Sequence, residues 1–255
     1  MLPRALIGRR EFIIGAGALA AAVLSETESY AGKPDKQDQT HMYHVESRWW
    51  GKRLYGDLIF HEHLNTTSNR YRVTIHGILN YFFEFPVRLT SHGFIDAKGL
   101  CNPTFSQISI ESKLAHALGM KNITLEYNYG MQQITFAKEG ESVKTKPFEI
   151  GKRPDDIGSA YFNLRHDFFP WFENKAIIYM VTMNKRDREP EYKPLRIVRQ
   201  RDADSFTLET WDFYRYIPAV TQGNPTRIRL SLEDRTVREV TTMVKKEKAV
   251  ITWIS

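Results

Sequence analysis

Two histidines, His61 and His63, have the spacing in this sequence that best suits metal binding. On a β-strand, residues i and i+2 point to the same face, so both imidazoles could reach one metal ion. A zinc site needs at least a third protein ligand. His41, His44 and His76 are candidates, but nothing in the sequence brings them near the pair. Two histidines on a solvated strand face are the alternative interpretation.

The other common signatures of catalysis are missing from the sequence. It contains no Gly-x-Ser-x-Gly nucleophile motif and no phosphate-binding loop in a suitable context. The single cysteine, Cys101, has no partner for an intramolecular disulfide, and we interpret it as a packing residue with no assigned role. A noncatalytic protein is therefore favoured over an enzyme. No cofactor is predicted unless His61 and His63 hold a metal.

A cluster of bulky apolar residues is the strongest indication of ligand binding. Phe168, Phe169, Trp171 and Phe172 surround a proline, which should hold them in a turn. If they are buried they are core, and if they are exposed they form a patch that marks a ligand, membrane or partner contact. We predict that they bind a ligand together with two residues of the preceding helix, Tyr161 and Arg165.

That helix is predicted over residues 155–168, where apolar residues follow one helical face. Pro154, Asp155 and Asp156 suit its start, because proline fits the first turn and acidic residues complement the partial positive charge there. Two roles for Arg165 stay open, namely pairing with an acidic residue of the sheet and contacting a ligand. A second, weaker helix is predicted over residues 113–118. The apolar residues of the face are Ile157, Ala160, Tyr161, Leu164 and Phe168.

Strand patterns recur along most of the chain from residue 41 onward. Residues 70–76 and 227–233 alternate polar and apolar side chains with period two, which is typical of half-buried strands. We therefore predict a mainly β fold: a curled antiparallel sheet, or incomplete barrel, with one or two helices packed over its concave face. Residues 41–255 are expected to form one domain.

The first 31 residues have the three parts of an export signal. Arg9 and Arg10 lie in a basic start, an uncharged middle follows, and Ser29 and Ala31 fit a small-x-small cleavage pattern. The arginine pair before Phe12 resembles a twin-arginine motif. We predict cleavage near Ala31, a solvated linker over residues 32–40, and a periplasmic location.

The chain carries a net charge of +6, which favours anionic partners. Outside the cytoplasm nucleic acid is an improbable partner, and we predict none. Residues 185–201, which include Lys185, Arg186 and Arg201, carry an excess of basic residues. This segment is predicted to contact an anionic membrane surface, where each basic residue contributes roughly 1 kcal/mol. A solvated loop is the alternative.

Three segments together resemble a family of bacterial exported proteins labelled as domain of unknown function number 3108. They are the turn at residues 99–105, the helix motif formed by Asp155, Ser159, Tyr161 and Arg165, and the strand at residues 228–234. The resemblance implies a location in the cell envelope. It also implies the incomplete barrel of lipoprotein carriers, in which a curled sheet and a lid helix enclose an apolar cavity.

The leading hypothesis is a noncatalytic periplasmic binding protein that holds an apolar or amphipathic ligand, such as a lipid, acyl chain or glycolipid, in the groove of a partial barrel. One alternative is a metal-dependent envelope enzyme built around His61 and His63. A second alternative is an envelope scaffold that binds a protein partner.

Overall fold

The computed structural model describes ten stretches of the chain. They are residues 36–49, 52–80, 84–112, 121–165, 174–183, 189–202, 205–212, 223–232, 237–244 and 247–253. The predicted signal peptide (1–31) and the second predicted helix (113–118) lie outside these residues, as do Phe168, Phe169, Trp171 and Phe172.

The described residues form fifteen strands and one helix, α1 (Ile157–Arg165). The strands are β1 (Lys36–Trp49), β2 (Lys52–Asn65), β3 (Arg70–Asn80), β4 (Glu84–Ile95), β5 (Cys101–Ile110), β6 (Ile123–Asn128), β7 (Gln133–Lys138), β8 (Lys144–Pro147), β9 (Pro154–Asp155), β10 (Lys175–Met183), β11 (Pro190–Arg201), β12 (Ser205–Thr210), β13 (Thr226–Ser231), β14 (Val237–Val244) and β15 (Glu247–Trp253).

All fifteen strands belong to one sheet whose middle is the pairing of β1 with β15. The order runs from β8 down to β1, then from β15 down to β9. Neighbouring strands are antiparallel except for the short β9, which runs parallel to β10. Each half of the sheet is therefore a meander of hairpins, and the β1–β15 pairing joins the two halves.

The sheet curls until its two ends pack against each other through side chains. Leu125, Tyr127, Ile134 and Phe136 of β6 and β7 form a core cluster with Val181 of β10 and Tyr192 of β11. The strand order is nevertheless open, with β8 and β9 at its edges. These features confirm the predicted incomplete barrel.

Alternation along the strands explains why one face is the core. In β3, Tyr71, Val73 and Ile75 are buried while Arg72 is exposed, as the pattern over residues 70–76 predicts. The same alternation in β13 buries Ile228 and Leu230 and exposes the arginines beside them. Because successive side chains of a strand point to opposite faces, the curled sheet encloses its apolar face.

The helix lies inside the curl of the sheet, where it is surrounded by core residues on all sides. All nine residues of α1 are buried, so it has no solvated face. The prediction of a one-faced helix over residues 155–168 is therefore incorrect in two respects. The helix begins at Ile157, because Pro154 and Asp155 pair with β10 as β9, and residues off the predicted face, such as Phe162, are also buried.

A glycine allows the helix to approach the sheet closely. A Cβ atom at Gly158 would lie 2.4 Å from the Ser91 side chain and 2.6 Å from Cγ1 of Val73. Both distances are well below van der Waals contact, so any side chain at this position would force α1 away from β3 and β4.

The start of the sheet differs from the predicted boundary. Strand β1 begins at Lys36, inside the stretch 32–40 that was predicted as linker, and its first residues pair with β2 from Lys36 opposite Asn65 onward. The polar composition of these residues suggested a linker, but the long partner strand β2 supplies backbone hydrogen bonds that the composition does not reveal. Among the described residues, no helix is long and apolar enough to cross a membrane.

Candidate functional site

A buried polar cluster ties the end of α1 to the first two strands. Glu62 of β2 points into the core, where it accepts hydrogen bonds from the Arg165 guanidinium and the Tyr161 hydroxyl. Arg165 also donates to Oε1 of Gln39 at 2.8 Å, and Nε2 of His41 lies 3.7 Å from the Glu62 carboxylate. We call Glu62, Tyr161 and Arg165 the helix clamp.

The charges of the helix clamp stabilise each other in a dry environment. Burial by itself would lower the pKa of Arg165, but the nearby Glu62 and Tyr161 outweigh it and the net shift is upward. Burial, opposed by Arg165 and reinforced by Glu62, raises the pKa of Tyr161 well above its ordinary value. The arginine therefore stays charged and the tyrosine neutral, and the clamp contains a buried ion pair.

The start of α1 is fixed by a reciprocal pair of hydrogen bonds. The Ser159 amide donates to Oδ1 of Asp156 at 2.7 Å, and the Asp156 amide donates to Oγ of Ser159 at 3.0 Å. This arrangement is a capping box, which satisfies two amides that the helix itself cannot pair. Asp155 accepts from Nη2 of Arg153 through both oxygens, at 2.7 and 3.0 Å.

The middle of α1 is anchored to β5 by Asn163. The Cys101 amide donates to Oδ1 of Asn163 at 2.7 Å, and Nδ2 of Asn163 donates to the Cys101 carbonyl at 2.9 Å. The cysteine is fully buried, and burial raises the pKa of its thiol far above the ordinary value. A buried thiol with a raised pKa carries little nucleophilic thiolate, which fits the interpretation of Cys101 as a packing residue.

Because of Asp155, beside the start of α1, we expect the stability of the protein to fall as the pH rises through the mildly acidic range. Burial, opposed by Arg153, raises the pKa of Asp155 from 3.8 to about 6. A folded-state pKa above the unfolded value gives stability that is complete below pH 3.8 and is lost as the pH passes about 6. The shift corresponds to about 3 kcal/mol.

Urea unfolding of the protein and of Asp155→Asn, each between about pH 4 and pH 7, measures this contribution. The change in the free energy of unfolding between these pH values should be about 3 kcal/mol smaller in the variant. Asp202→Asn, at an exposed position, serves as the control. An unchanged pH profile in Asp155→Asn would show that Asp155 does not take up a proton in this range.

An apolar groove lies between α1 and strands β10 to β13. The space within it that is large enough for a water molecule is about 20 Å³. Ile157, Ala160 and Leu164 form the helix side, and the facing strands contribute mainly aliphatic residues that include Ile178, Leu195 and Ile228. Such a lining suits an apolar ligand, because alkyl groups there would leave water without breaking hydrogen bonds.

Two polar residues, Glu209 and Thr210, also line the groove. Glu209 is buried and accepts a hydrogen bond from Nε of the exposed Arg227 at 2.6 Å. Nearby in sequence, Asp212 accepts two hydrogen bonds from Arg196, at 2.5 and 3.0 Å. The groove therefore has charged pairs beside its apolar lining.

The structure places the predicted metal ligands on the outer face of the sheet. Nδ1 of His61 lies 3.0 Å from the Thr40 hydroxyl, and Nδ1 of His63 lies 2.5 Å from Asp38. Of the proposed third ligands, His76 lies beside His61, with ring centroids 5.0 Å apart, whereas His41 is buried on the opposite face. In the described part of the chain, no three His, Cys, Asp or Glu side chains gather to hold a metal ion.

The other predicted site residues fall into two groups. Tyr161 and Arg165 are brought together in the helix clamp, while the four aromatic residues 168–172 lie outside the described residues. Of the basic segment, residues 185–188 lie outside the described part. The remainder contains all of β11, where Lys193 pairs with Glu191 and Arg196 with Asp212.

Sequence reasoning missed Glu62, although it lies between the two histidines that were singled out. A signal was present, because Phe60, Glu62 and Leu64 share one face of β2 and their neighbours are core residues. A carboxylate on the apolar face of a strand requires a buried partner. Here that partner is Arg165, a hundred residues away in the chain.

The fold resembles that of a solved structure described as a beta-barrel-like protein of domain of unknown function DUF1849 from Brucella abortus. The TM-score is 0.50 and the identity 7%, over 86% of this chain and 96% of that chain. A DUF1089 family protein from Pseudomonas aeruginosa aligns with a TM-score of 0.37 and 12% identity, over 84% and 95% of the two chains. No protein-family model matches the chain, and no curated protein matches it. The first likeness supports a barrel-like fold of a family of unknown function, and does not single out the family numbered 3108.

Proposed function

We propose that this protein is a noncatalytic binding protein of the bacterial cell envelope. It holds the apolar part of a lipid, acyl chain or glycolipid in the groove beside α1. The observation that carries the proposal is the groove lining, in which nine of the eleven residues are apolar. The predicted export signal and the resemblance to the exported family numbered 3108 support the envelope location.

The polar residues of the groove fit binding better than catalysis. Glu209 is the one titratable group in the lining, and its carboxylate is engaged by Arg227 at 2.6 Å. An acyl chain needs no polar partner, since each methylene group transferred from water contributes about 0.8 kcal/mol.

Native mass spectrometry of the protein purified from a periplasmic fraction tests location and occupancy together. We expect the protein in that fraction, with a copurified amphipathic molecule that organic solvent extracts. Protein confined to the cytoplasmic fraction would contradict the location. Ligand-free protein that also takes up no fluorescent fatty acid would contradict lipid binding.

Filling the groove should weaken uptake without unfolding the protein. Ala160 is small, buried and part of the helix side of the groove, so Ala160→Leu would place three further carbons in the ligand space. We expect the affinity for a dansyl-labelled fatty acid to fall about tenfold or more, as two lost methylene contacts predict. The added side chain overpacks a narrow space, which typically costs about 1–3 kcal/mol, and thermal unfolding checks that the variant is still folded.

The matched control is Ala97→Leu, the same substitution at an exposed turn position. It should leave fatty-acid affinity unchanged. Leu195→Phe fills the opposite wall and provides a second variant if Ala160→Leu is unstable. Equal uptake by the protein and by both stable groove variants would place the ligand elsewhere.

A further inference from the structure

The outer face of β2, β3 and β4 carries a cluster of cationic side chains outside the groove. Cross-strand pairing aligns His63, Arg72 and His92 in one row, and Ile59, His76 and Arg88 in another row four residues farther along the strands. His61 adds a further imidazole beside His76, with ring centroids 5.0 Å apart, and the exposed Arg70 begins β3. We call His61, His76, His92, Arg70, Arg72 and Arg88 the outer patch.

In the described part of the chain, the arginines of the outer patch have no acidic partner, whereas three arginines elsewhere do. Arg165, Arg196 and Arg227 each form an ion pair with a carboxylate. Among the described residues, no carboxylate pairs with Arg70, Arg72 or Arg88, which are all exposed. The acidic residues nearest in the sheet, Asp38 and Asp57, lie at its border and bind His63 and His44. Positive charge is therefore concentrated here without local neutralisation.

The histidines of the patch experience this positive field. Burial, His61 and Arg88 together lower the pKa of His76. Burial, Arg72 and Arg70 lower the pKa of His92, opposed by Asp156 on the other side of the sheet. His92 also stacks on Phe105, with centroids 5.1 Å apart, and its Nδ1 lies 3.3 Å from the Thr104 hydroxyl. A bound anion would oppose the part of these shifts that the arginines cause, so anion binding and proton uptake are coupled.

The shape of the outer patch points to an extended anionic surface instead of a single small ion. Arg72 and His76 lie four residues apart on one strand face, about 13 Å, and β2 and β4 add about 5 Å on each side. The cations are thus spread over the outer face of the sheet and do not converge on a cavity. Exposed apolar residues adjoin them, with Ile78 51% exposed on β3 and Met42 38% exposed on β1.

We propose that the outer patch docks the protein on an anionic phospholipid surface, with Arg72 and Arg88 contacting phosphate groups and Ile78 entering the interfacial layer. Charge complementarity is the basis of this proposal. His76 and His92 gain protons as the pH falls, so docking strengthens in mildly acidic conditions. The proposal goes beyond ligand binding in the groove and does not depend on it.

Cosedimentation with vesicles of phosphatidylglycerol and phosphatidylcholine, compared with vesicles of phosphatidylcholine alone, tests docking. We expect binding to the anionic vesicles only, stronger at about pH 5.5 than at about pH 7.5, and weakened by salt. Arg72→Glu combined with Arg88→Glu should reduce partitioning at least about 30-fold, since each basic residue contributes about fivefold. Circular dichroism and groove binding of the fatty-acid probe report whether this variant is folded.

The control combines Lys175→Glu with Arg229→Glu, which changes the net charge equally at exposed positions on β10 and β13. It should retain most of the binding. His76→Gln with His92→Gln should flatten the pH dependence while leaving the binding at about pH 7.5 nearly unchanged. This second variant keeps the proposal testable if the arginine variant does not fold.

Four results would overturn the proposal. Equal loss in the control variant would mean that net charge, and not the outer patch, drives binding. Equal binding to phosphatidylcholine vesicles would point to apolar adsorption. Displacement by inorganic phosphate at constant ionic strength would indicate a site for a single anion. Tighter, patch-dependent binding to an oligonucleotide than to vesicles would identify a different polyanion as the partner.

Discussion

Replacing Glu62 with glutamine lowers the free energy of unfolding by about 3–5 kcal/mol, the range observed when one partner of a buried ion pair is removed. Arg165 is 1% exposed and cannot recover water in the folded protein. Its guanidinium would keep its charge but lose the carboxylate that balances it, and Tyr161 would lose a charged acceptor. Urea unfolding followed by circular dichroism measures the loss.

A double variant separates the charge imbalance from general damage to the core. Glu62→Gln combined with Arg165→Met removes both charges and should recover a large part of the loss, since both are members of one network. The control Glu126→Gln lies on the exposed side of β6 and should change stability by about 0.5 kcal/mol or less. A cost below about 1 kcal/mol for Glu62→Gln alone would mean that water or another group neutralises Arg165.

Phe162→Ala is expected to cost about 3–5 kcal/mol, as for other fully buried aromatic side chains. Phe162 is 1% exposed, and its ring lies 5.3 Å from that of Tyr71 in an edge-to-face arrangement. Removal of the ring leaves a cavity between α1 and β3. Thermal and urea unfolding both report the loss.

The comparison variant Phe162→Leu keeps most of the apolar volume and should cost less than about 1.5 kcal/mol. This pair of substitutions distinguishes a packed helix from a peripheral one. If Phe162→Ala and Phe162→Leu cost equally little, the side chain is not an essential contact and the enclosed position of α1 is incorrect.

The sheet could be predicted well from the sequence because each half-buried strand alternates apolar and polar side chains. Over residues 70–76, the alternation of apolar and polar side chains matches the buried and exposed faces of β3 residue by residue. The incomplete barrel follows from many such strands and few helical segments. Which edges meet could not be predicted, because the contact between β6–β7 and β10–β11 is formed by residues far apart in the chain.

The helix was predicted at the right place but with the wrong environment. Its apolar spacing suggested one buried face, yet the sheet surrounds α1 and buries Phe162 and Asn163 as well. Periodicity reports a boundary between core and solvent, and a helix enclosed on all sides has no such boundary. The sequence identified Pro154, Asp155 and Asp156 as the start of the helix. In the structure, Asp156 is the N-cap and Ile157 is the first helical residue.

The candidate sites were less predictable than the fold. Tyr161 and Arg165 were identified, but their partner Glu62 required knowledge of which strand lies beneath the helix. The groove combines α1 with four strands, and the outer patch combines residues of three strands. Neither site is contiguous in sequence, so predicting either one would require the strand order and the register of the sheet.

The pairing of β1 with β15 also constrains how the chain folds during synthesis. Tyr43 lies opposite Trp253, whereas every other pairing of described strands joins strands that are consecutive in the chain. Hairpins with such local contacts form early, but contacts of long sequence separation form slowly. As the polypeptide leaves the ribosome, one edge of β1 therefore stays open. The backbone pairing that joins the two halves of the sheet can form only after residues 247–253 have emerged.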